Sequence, residues 1–341
     1  LGGPADQLYF NITERMPLSG IVLIIGILLG ITTLIGILGN ISVCLVVFWN
    51  RSMRTQLHLL LVNLAIADVG MSASCMPFAV ATVLFHEQTI GKRFCYFNGF
   101  INTFFALASV LTICSLCVYQ YVSVVLPLNK SLTNFRCLVM VLCAWTISIF
   151  LAIGPVLYWG RYEFTSNIFN CEYYHTTKEA EISYNITLML CGYLFPCAFM
   201  LFSYLSVLRA LHKHQSRMAV YTSSISPAPA AGSPVTLETK LCMTMSVVFL
   251  TFLVCRTPFF VFLVLATYDL GNPPDFLGQL SFWAIYLHSA CDPFIYAFKH
   301  TEFQETLRDI LRTFRLAITA SCCFCSSKDS VKEEHVVKEK K

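Results

Sequence analysis

Seven long apolar stretches follow one another along this chain, at 19–48, 56–85, 97–126, 136–159, 184–209, 241–268 and 277–298. Each exceeds the ~20 residues that a helix needs to cross a ~30 Å hydrocarbon core. One polar, proline or amphipathic residue marks each stretch: Asn40, Asp68, Gln120, Trp145, Pro196, Pro258 and Pro293. A simple anchor needs none of these. A carboxylate such as Asp68 costs roughly 2.5–3.5 kcal/mol in hydrocarbon on insertion scales. It persists only where neighbouring helices or water surround it. The pattern therefore predicts an all-α membrane protein, a seven-transmembrane helix bundle with a polar interior.

The connections at 49–56, 86–94, 127–136 and 269–276 are short, so neighbouring spans pack antiparallel. Residues 1–18 form a short polar tail and 19–298 the bundle. The inner connection 212–236 contains Ser-Pro-Ala-Pro-Ala-Ala-Gly-Ser-Pro and reads as a disordered linker. The outer connection 160–182 is aromatic and charged around Cys171. Beyond the last span, Phe303, Leu307, Ile310, Leu311 and Phe314 recur at helical spacing among basic residues. Residues 299–316 thus read as an amphipathic helix on the inner leaflet. Residues 317–341 form a tail that ends in mixed charge, unfolded by its pattern. Cys322, Cys323 and Cys325 in it are candidates for palmitoylation, with unmodified thiols as the alternative.

Charge sets the orientation. The chain is 12% charged, against about 25% in an average soluble protein. Arg51, Arg54, Lys130, Arg136, Arg209, Lys213, Arg217 and Lys240 crowd the connections 49–56, 127–136 and 209–240, with Glu238 the acid among them. The alternate connections mix signs or lean acidic. By the positive-inside rule the N-terminus is extracellular and the C-terminus cytoplasmic. Most of the 16 cysteines lie inside apolar spans and read as small buried hydrophobes. Cys95 and Cys171 fall at outer positions, in an oxidising compartment. Asn11-Ile12-Thr13 is a glycosylation acceptor in the outside tail, whereas Asn129 and Asn185 sit where the same triplet is a chance match.

Several motifs stand in one order and at matching depths. They are Gly39-Asn40, Leu64-Ala-Ile-Ala-Asp68, Cys95, Trp145, Cys171, Pro196 with Tyr204, Pro258, and Asp292-Pro-Phe-Ile-Tyr296. Along nearly its whole length the chain resembles the rhodopsin-like G-protein-coupled receptors. Within them Trp159-Gly-Arg-Tyr162, Cys95-Tyr-Phe-Asn-Gly-Phe100, Tyr121-Val-Ser-Val-Val-Leu-Pro127 and Cys322-Cys323 look most like opsins. The resemblance implies a plasma-membrane receptor with a Cys95–Cys171 disulfide. It also implies heterotrimeric G protein and arrestin on the cytoplasmic face, membrane lipid around the spans and an extracellular ligand that the sequence does not name. No nucleic-acid partner is implied.

The departures carry as much information. Opsins hold retinal on a lysine seven residues before the proline of the last span; here that position is Tyr286, so a retinal Schiff base is not expected. Aminergic receptors anchor cationic ligands seven residues below the span-three cysteine, where this chain has the neutral Asn102. The usual Asp/Glu-Arg-Tyr is Tyr119-Gln120-Tyr121, so Glu238 lacks its family partner. Either basal activity or poor coupling follows. Tyr204, Pro258, Pro293 and Tyr296 keep their family positions as activation-switch residues.

Arg256 stands in the span-six motif, as Cys255-Arg256-Thr257-Pro258, where the family usually has tryptophan. An unpaired arginine at that depth costs several kcal/mol. The family's sodium pocket maps to Asp68, Ser109 and Asp292, beside Asn40. A cation between the acids, one protonated acid, or an ion pair from Arg256 to Asp292 or Asp68 would balance the site. The last is the favoured expectation and makes sodium doubtful. Arg256 pointing up to receive an acidic ligand, or snorkelling, are the alternatives.

The resemblance places a cavity among spans three, five, six and seven, lined by Asn102, Thr103, Ala106, Phe259, Phe260, Phe282 and Tyr286. The outer loop would roof it, and an apolar or aromatic ligand would fit it. A transporter is the competing class, but no internal repeat is visible. Scattered histidines argue against a membrane hydrolase or a metal site, and His288 reads as a hydrogen-bonded interior residue.

Overall fold

The computed structural model describes residues 20–85, 92–126, 133–165, 170–173, 179–225, 237–268, 275–299 and 302–316. The expectations for Asn11, for Cys322, Cys323 and Cys325, and for the tails 1–18 and 317–341 lie outside these residues. So do the side chains of Glu238 and Tyr296.

Span one is the helix Gly20–Trp49. Span two runs as Gln56–Ser74 and Met76–Phe85, with Cys75 closing the first piece. Pro77 accounts for the break, because it has no N–H to give Ala73 and its ring crowds that carbonyl. Span three is Lys92–Val125. Span four, Asn134–Ala152, starts at Thr133, whose side chain accepts from the Arg136 N–H. It ends seven residues short of the apolar run, because Gly154-Pro155 opens a 3₁₀ turn at Gly154–Leu157 that stops at Tyr158 in a left-handed conformation.

Span five is Glu179–Met189, a π turn at Leu190–Leu194, and Phe195–Ile225. Pro196, two residues past the turn, cannot donate to Gly192, so the ladder widens there. The helix also corrects the reading of 212–236 as a disordered linker for residues 212–225, while 226–236 lie outside the described residues. It continues to Ile225, helped by Lys213, Gln215, Arg217, Met218 and Ala219 in its extension. Span six is Leu237–Thr267, with Pro258 inside it, and span seven Asp275–Lys299, with Pro293 inside it.

Six of these helices are apolar enough to cross a membrane by hydropathy alone. Span seven is less apolar, since it carries Gln279, His288 and Asp292, yet its 25 residues reach about 37 Å. It packs against spans one, two and six. Gly39 lets it close on span one: a Cβ there would lie 2.8 Å from Pro293 Cγ.

The interior has three layers. An outer apolar cluster includes Met71, Leu107, Phe259, Phe282 and Tyr286. An inner one includes Leu64, Val110, Leu116, Phe252 and Ile295. Between them lie buried Asn40, Asp68, Ser72, Ser109, Arg256, His288, Ser289 and Asp292.

Two ends are fastened. Outside, the hairpin β1 (Tyr162–Thr165) and β2 (Asn170–Tyr173) pairs Phe164 with Cys171. The Cys95–Cys171 disulfide ties it to span three, and Phe78 and Phe94 pack around the bridge. The hairpin sits on spans two and three. Inside, the helix at 302–316 turns Phe303 and Ile310 into the inner cluster and leaves Leu311 and Phe314 exposed. The Asn50 amide donates to Thr306 Oγ1 at 3.1 Å, and Gln304 Nε2 to the Ala297 carbonyl at 2.6 Å. The predicted amphipathic stripe therefore splits: part of it locks the helix to the bundle and part faces outward.

Candidate functional site: a cavity above a buried polar layer

A cavity of about 50 Å³ opens among spans three, five, six and seven. That holds a few waters rather than a drug-sized ligand, which needs several hundred Å³. Asn102, Thr103, Ala106, Phe259 and Phe260 line it, as the sequence indicated. Leu107 and Val110 join them from span three, Ile285 from span seven, and Gly192 from the π turn. The turn brings a residue without a side chain to the wall, where an added Cβ would already touch Leu107 at 3.4 Å and Phe260 at 3.5 Å.

Phe282 and Tyr286 are placed elsewhere. They border a second, smaller cavity of about 10 Å³ with Ile25, Ala79, Gln279 and Trp283, between spans one, two and seven. The reason is the turn of span seven about its axis. Ile285 reaches the first cavity, and Phe259 stands edge-on against Phe282, with ring centres 5.6 Å apart.

Arg256 also lines the first cavity. Its side chain is buried, and Nε and Nη2 have no hydrogen-bond partner. No ion pair within 4.0 Å among the described residues includes it, so the expected direct pair with Asp292 or Asp68 is not formed. His288 takes the near position instead. It precedes Asp292 by one turn of the same helix, and its Nδ1 lies 3.8 Å from Asp292 Oδ2. Neither ring nitrogen of His288 makes a hydrogen bond, contrary to the expectation for it. Arg256, Ser109 and Ser289 share the buried layer with both acids. The carboxylate oxygens of Asp68 and Asp292 and the Ser109 hydroxyl have no direct hydrogen-bond partner. Asn40 is fastened more firmly, donating to the Gly36 and Ser289 carbonyls at 2.9 Å each.

Towards the cytoplasm, Gln120 is buried with its amide nitrogen unpartnered. The Tyr121 ring lies 6.0 Å from Phe202, and Tyr204 packs with Val124, Val125, Val207 and Leu211. Spans three and five are further joined by Ser203 Oγ donating to the Cys117 carbonyl at 3.0 Å.

One hub escaped the sequence reading. Trp145 Nε1 donates to Asn63 Oδ1 at 2.8 Å, and Asn63 Nδ2 donates to Thr112 Oγ1 at 2.7 Å. This joins spans four, two and three. Its signal was present, since Asn63 is an amide in an otherwise apolar run five residues before Asp68. A second missed contact is Tyr193 Oη with Thr257 Oγ1, 2.6 Å apart between spans five and six.

With this geometry in view, the chain matches the 7 transmembrane receptor (rhodopsin family) over residues 39–296. The high-affinity lysophosphatidic acid receptor of Xenopus laevis is 25% identical over 297 residues, 82% of this chain and 80% of that protein. The probable G-protein coupled receptor 63 of Homo sapiens is 25% identical over 329 residues, 90% of this chain and 76% of that protein. The GQ-coupled rhodopsin of Mizuhopecten yessoensis is 28% identical over 292 residues, 83% of this chain and 58% of that protein. A crystal structure of squid rhodopsin superposes with a TM-score of 0.77 at 22% identity, covering 94% of this chain and 91% of that one. That likeness is one of fold.

Proposed function

We propose, for a chain that belongs to the 7 transmembrane receptor (rhodopsin) family, that it transduces a signal from its outer cavity to G protein and arrestin at the cytoplasmic ends of its spans. It is a multi-pass signalling receptor, not an enzyme. On our reading it sits in the plasma membrane with its N-terminus outside, glycosylated at Asn11 and palmitoylated at Cys322, Cys323 or Cys325.

The observation that supports this reading is the alignment of the cavity, the buried polar layer and Gln120 along span three. A change at Asn102 or Thr103 is two turns from Ser109, and Ser109 is three turns from Gln120. The names of the relatives point to different ligands, so the cavity's own residues decide. Tyr286 is buried against the second cavity and has no amine for a Schiff base, which supports a receptor without covalent retinal. Sodium is not required on this reading either, because Arg256 is buried as a cation in the same polar layer as Asp68 and Asp292.

The test is full-length expression with basal readouts for each G-protein class and an arrestin-recruitment assay. Expression-dependent signal in one class supports transduction. Verified surface protein with no signal in any class supports instead a coupling-poor receptor, as the missing charge at Gln120 would allow.

A further inference from the structure

The cavity has the wrong chemistry for a purely apolar ligand. Its walls are Leu107, Val110, Phe259 and Phe260, yet Arg256 lines it as a buried guanidinium with two nitrogens unpartnered. Thr103 lines it too, and its buried hydroxyl has no partner. A neutral guest would leave the cation and the hydroxyl unmatched, and each unmatched buried polar group weakens binding. A planar guanidinium matches a carboxylate or phosphate through two parallel N–H bonds.

We infer that the cavity binds a ligand with one acidic headgroup, carboxylate or phosphate, seated on Arg256 and Thr103, with an aromatic or aliphatic body against Phe259 and Phe260. This deepens the receptor reading by naming the ligand class of the same cavity. The acid head sits between Thr103 and Arg256, above a floor of Leu107 and Val110, and the body extends outward past Phe259 and Phe260. The cavity widens to admit it, since its present volume accommodates only the head.

Binding is measured as thermal unfolding of the purified full-length receptor in detergent, which needs no G protein, so a failure here is distinct from a failure to signal. The probes are 4-phenylbutyrate and phenyl phosphate, with 4-phenylbutanol as the neutral match of the first. The expected result is stabilisation by at least one acid, with an affinity about thirty-fold or more above that of the alcohol, the lower end for a buried charged hydrogen bond. Which acid prevails separates carboxylate from phosphate recognition. R256Q should abolish the preference for acid, and R256K should keep part of it. If R256Q does not fold, T103V carries the test, and its acid affinity should fall several-fold with the alcohol unchanged. Equal shifts by acid and alcohol, an acid preference that survives R256Q, or no shift with any probe would overturn the inference.

Discussion

The Asn63 hub permits a measurement in which the structure sets the size of the effect. Asn63 accepts from Trp145 at 2.8 Å and donates to Thr112 at 2.7 Å, and both Asn63 and Thr112 are buried. Side-chain hydrogen bonds between membrane helices average about 0.6 kcal/mol and reach about 1.7 kcal/mol. Asn63→Leu, close in volume, removes both bonds and should destabilise by about 1–3 kcal/mol. Trp145→Phe removes one bond and leaves Asn63 Oδ1 buried without a donor, while loosening the ring's contacts with Phe104 and Phe105 at 5.2 and 6.2 Å. The double variant no longer has the orphaned oxygen, so it should be less destabilised than the sum of the singles by about 0.5–1.5 kcal/mol. The assay is thermal unfolding of detergent-purified protein, read by reaction of the buried thiols with a fluorescent maleimide. Strict additivity, or an Asn63→Leu protein as stable as the parent, would refute the claim that Asn63 holds three spans together.

Four further outcomes are expected. Cys171→Ser should lose about 2–4 kcal/mol by releasing the Cys95 tether, and reductant should destabilise the parent but not the variant; free alkylation of Cys95 and Cys171 in unreduced parent would contradict this. Reconstitution with 11-cis-retinal should yield no borohydride-trapped adduct in the bundle, and a trapped adduct would show that Tyr286 does not stand in for the lysine. Gln120→Arg should lower basal signalling several-fold by restoring the family's cation for Glu238, since about 1 kcal/mol shifts a two-state balance several-fold; unchanged basal activity would remove that role. Arg256→Met should express poorly and Arg256→Met with Asp292→Asn should recover surface protein, because the first strands two acids and the second relieves one of them; a double variant no better than the sum of its parts would show the charges uncoupled.

The spans were legible because membrane insertion demands long apolar runs, and that demand does not depend on tertiary detail. The cavity residues on spans three and six were legible because Cys95 and Pro258 mark depth on their helices. Span seven defeated the same reasoning. Depth located Phe282 and Tyr286 correctly, but which cavity they border depends on how the helix is rotated, and packing of Ile285 and Phe259 decides that. Arg256 was legible as a buried cation but not as one without a direct partner. Sequence brings it near Asp292 through the family's layout, whereas His288 occupies the close position by virtue of its place on the same helix. Pro77 and Gly154-Pro155 announced a break and an early stop, signals that a hydropathy window averages away.

The way span six is held suggests how the cavity and the inner face communicate. Thr257 and Thr267 of span six bond to Tyr193 and Asn185 of span five. Against span seven, rings meet instead, Phe259 with Phe282 and Phe252 with His288, and such contacts have no fixed direction. Charge supplies the rest. Arg256 lies beyond 4.0 Å from Asp68 and Asp292, which bounds its attraction to each acid at about 4 kcal/mol for an effective dielectric of 20. About a third of that ceiling is enough to bias a two-state helix arrangement tenfold, since 1.4 kcal/mol is tenfold. An acidic ligand in the cavity and the two carboxylates below it compete for one guanidinium. Seating the ligand therefore weakens the electrostatic hold of spans two and seven on span six while leaving its bonds to span five intact. The departure from the family at Arg256 would in this way turn a bulky switch position into an electrostatic one.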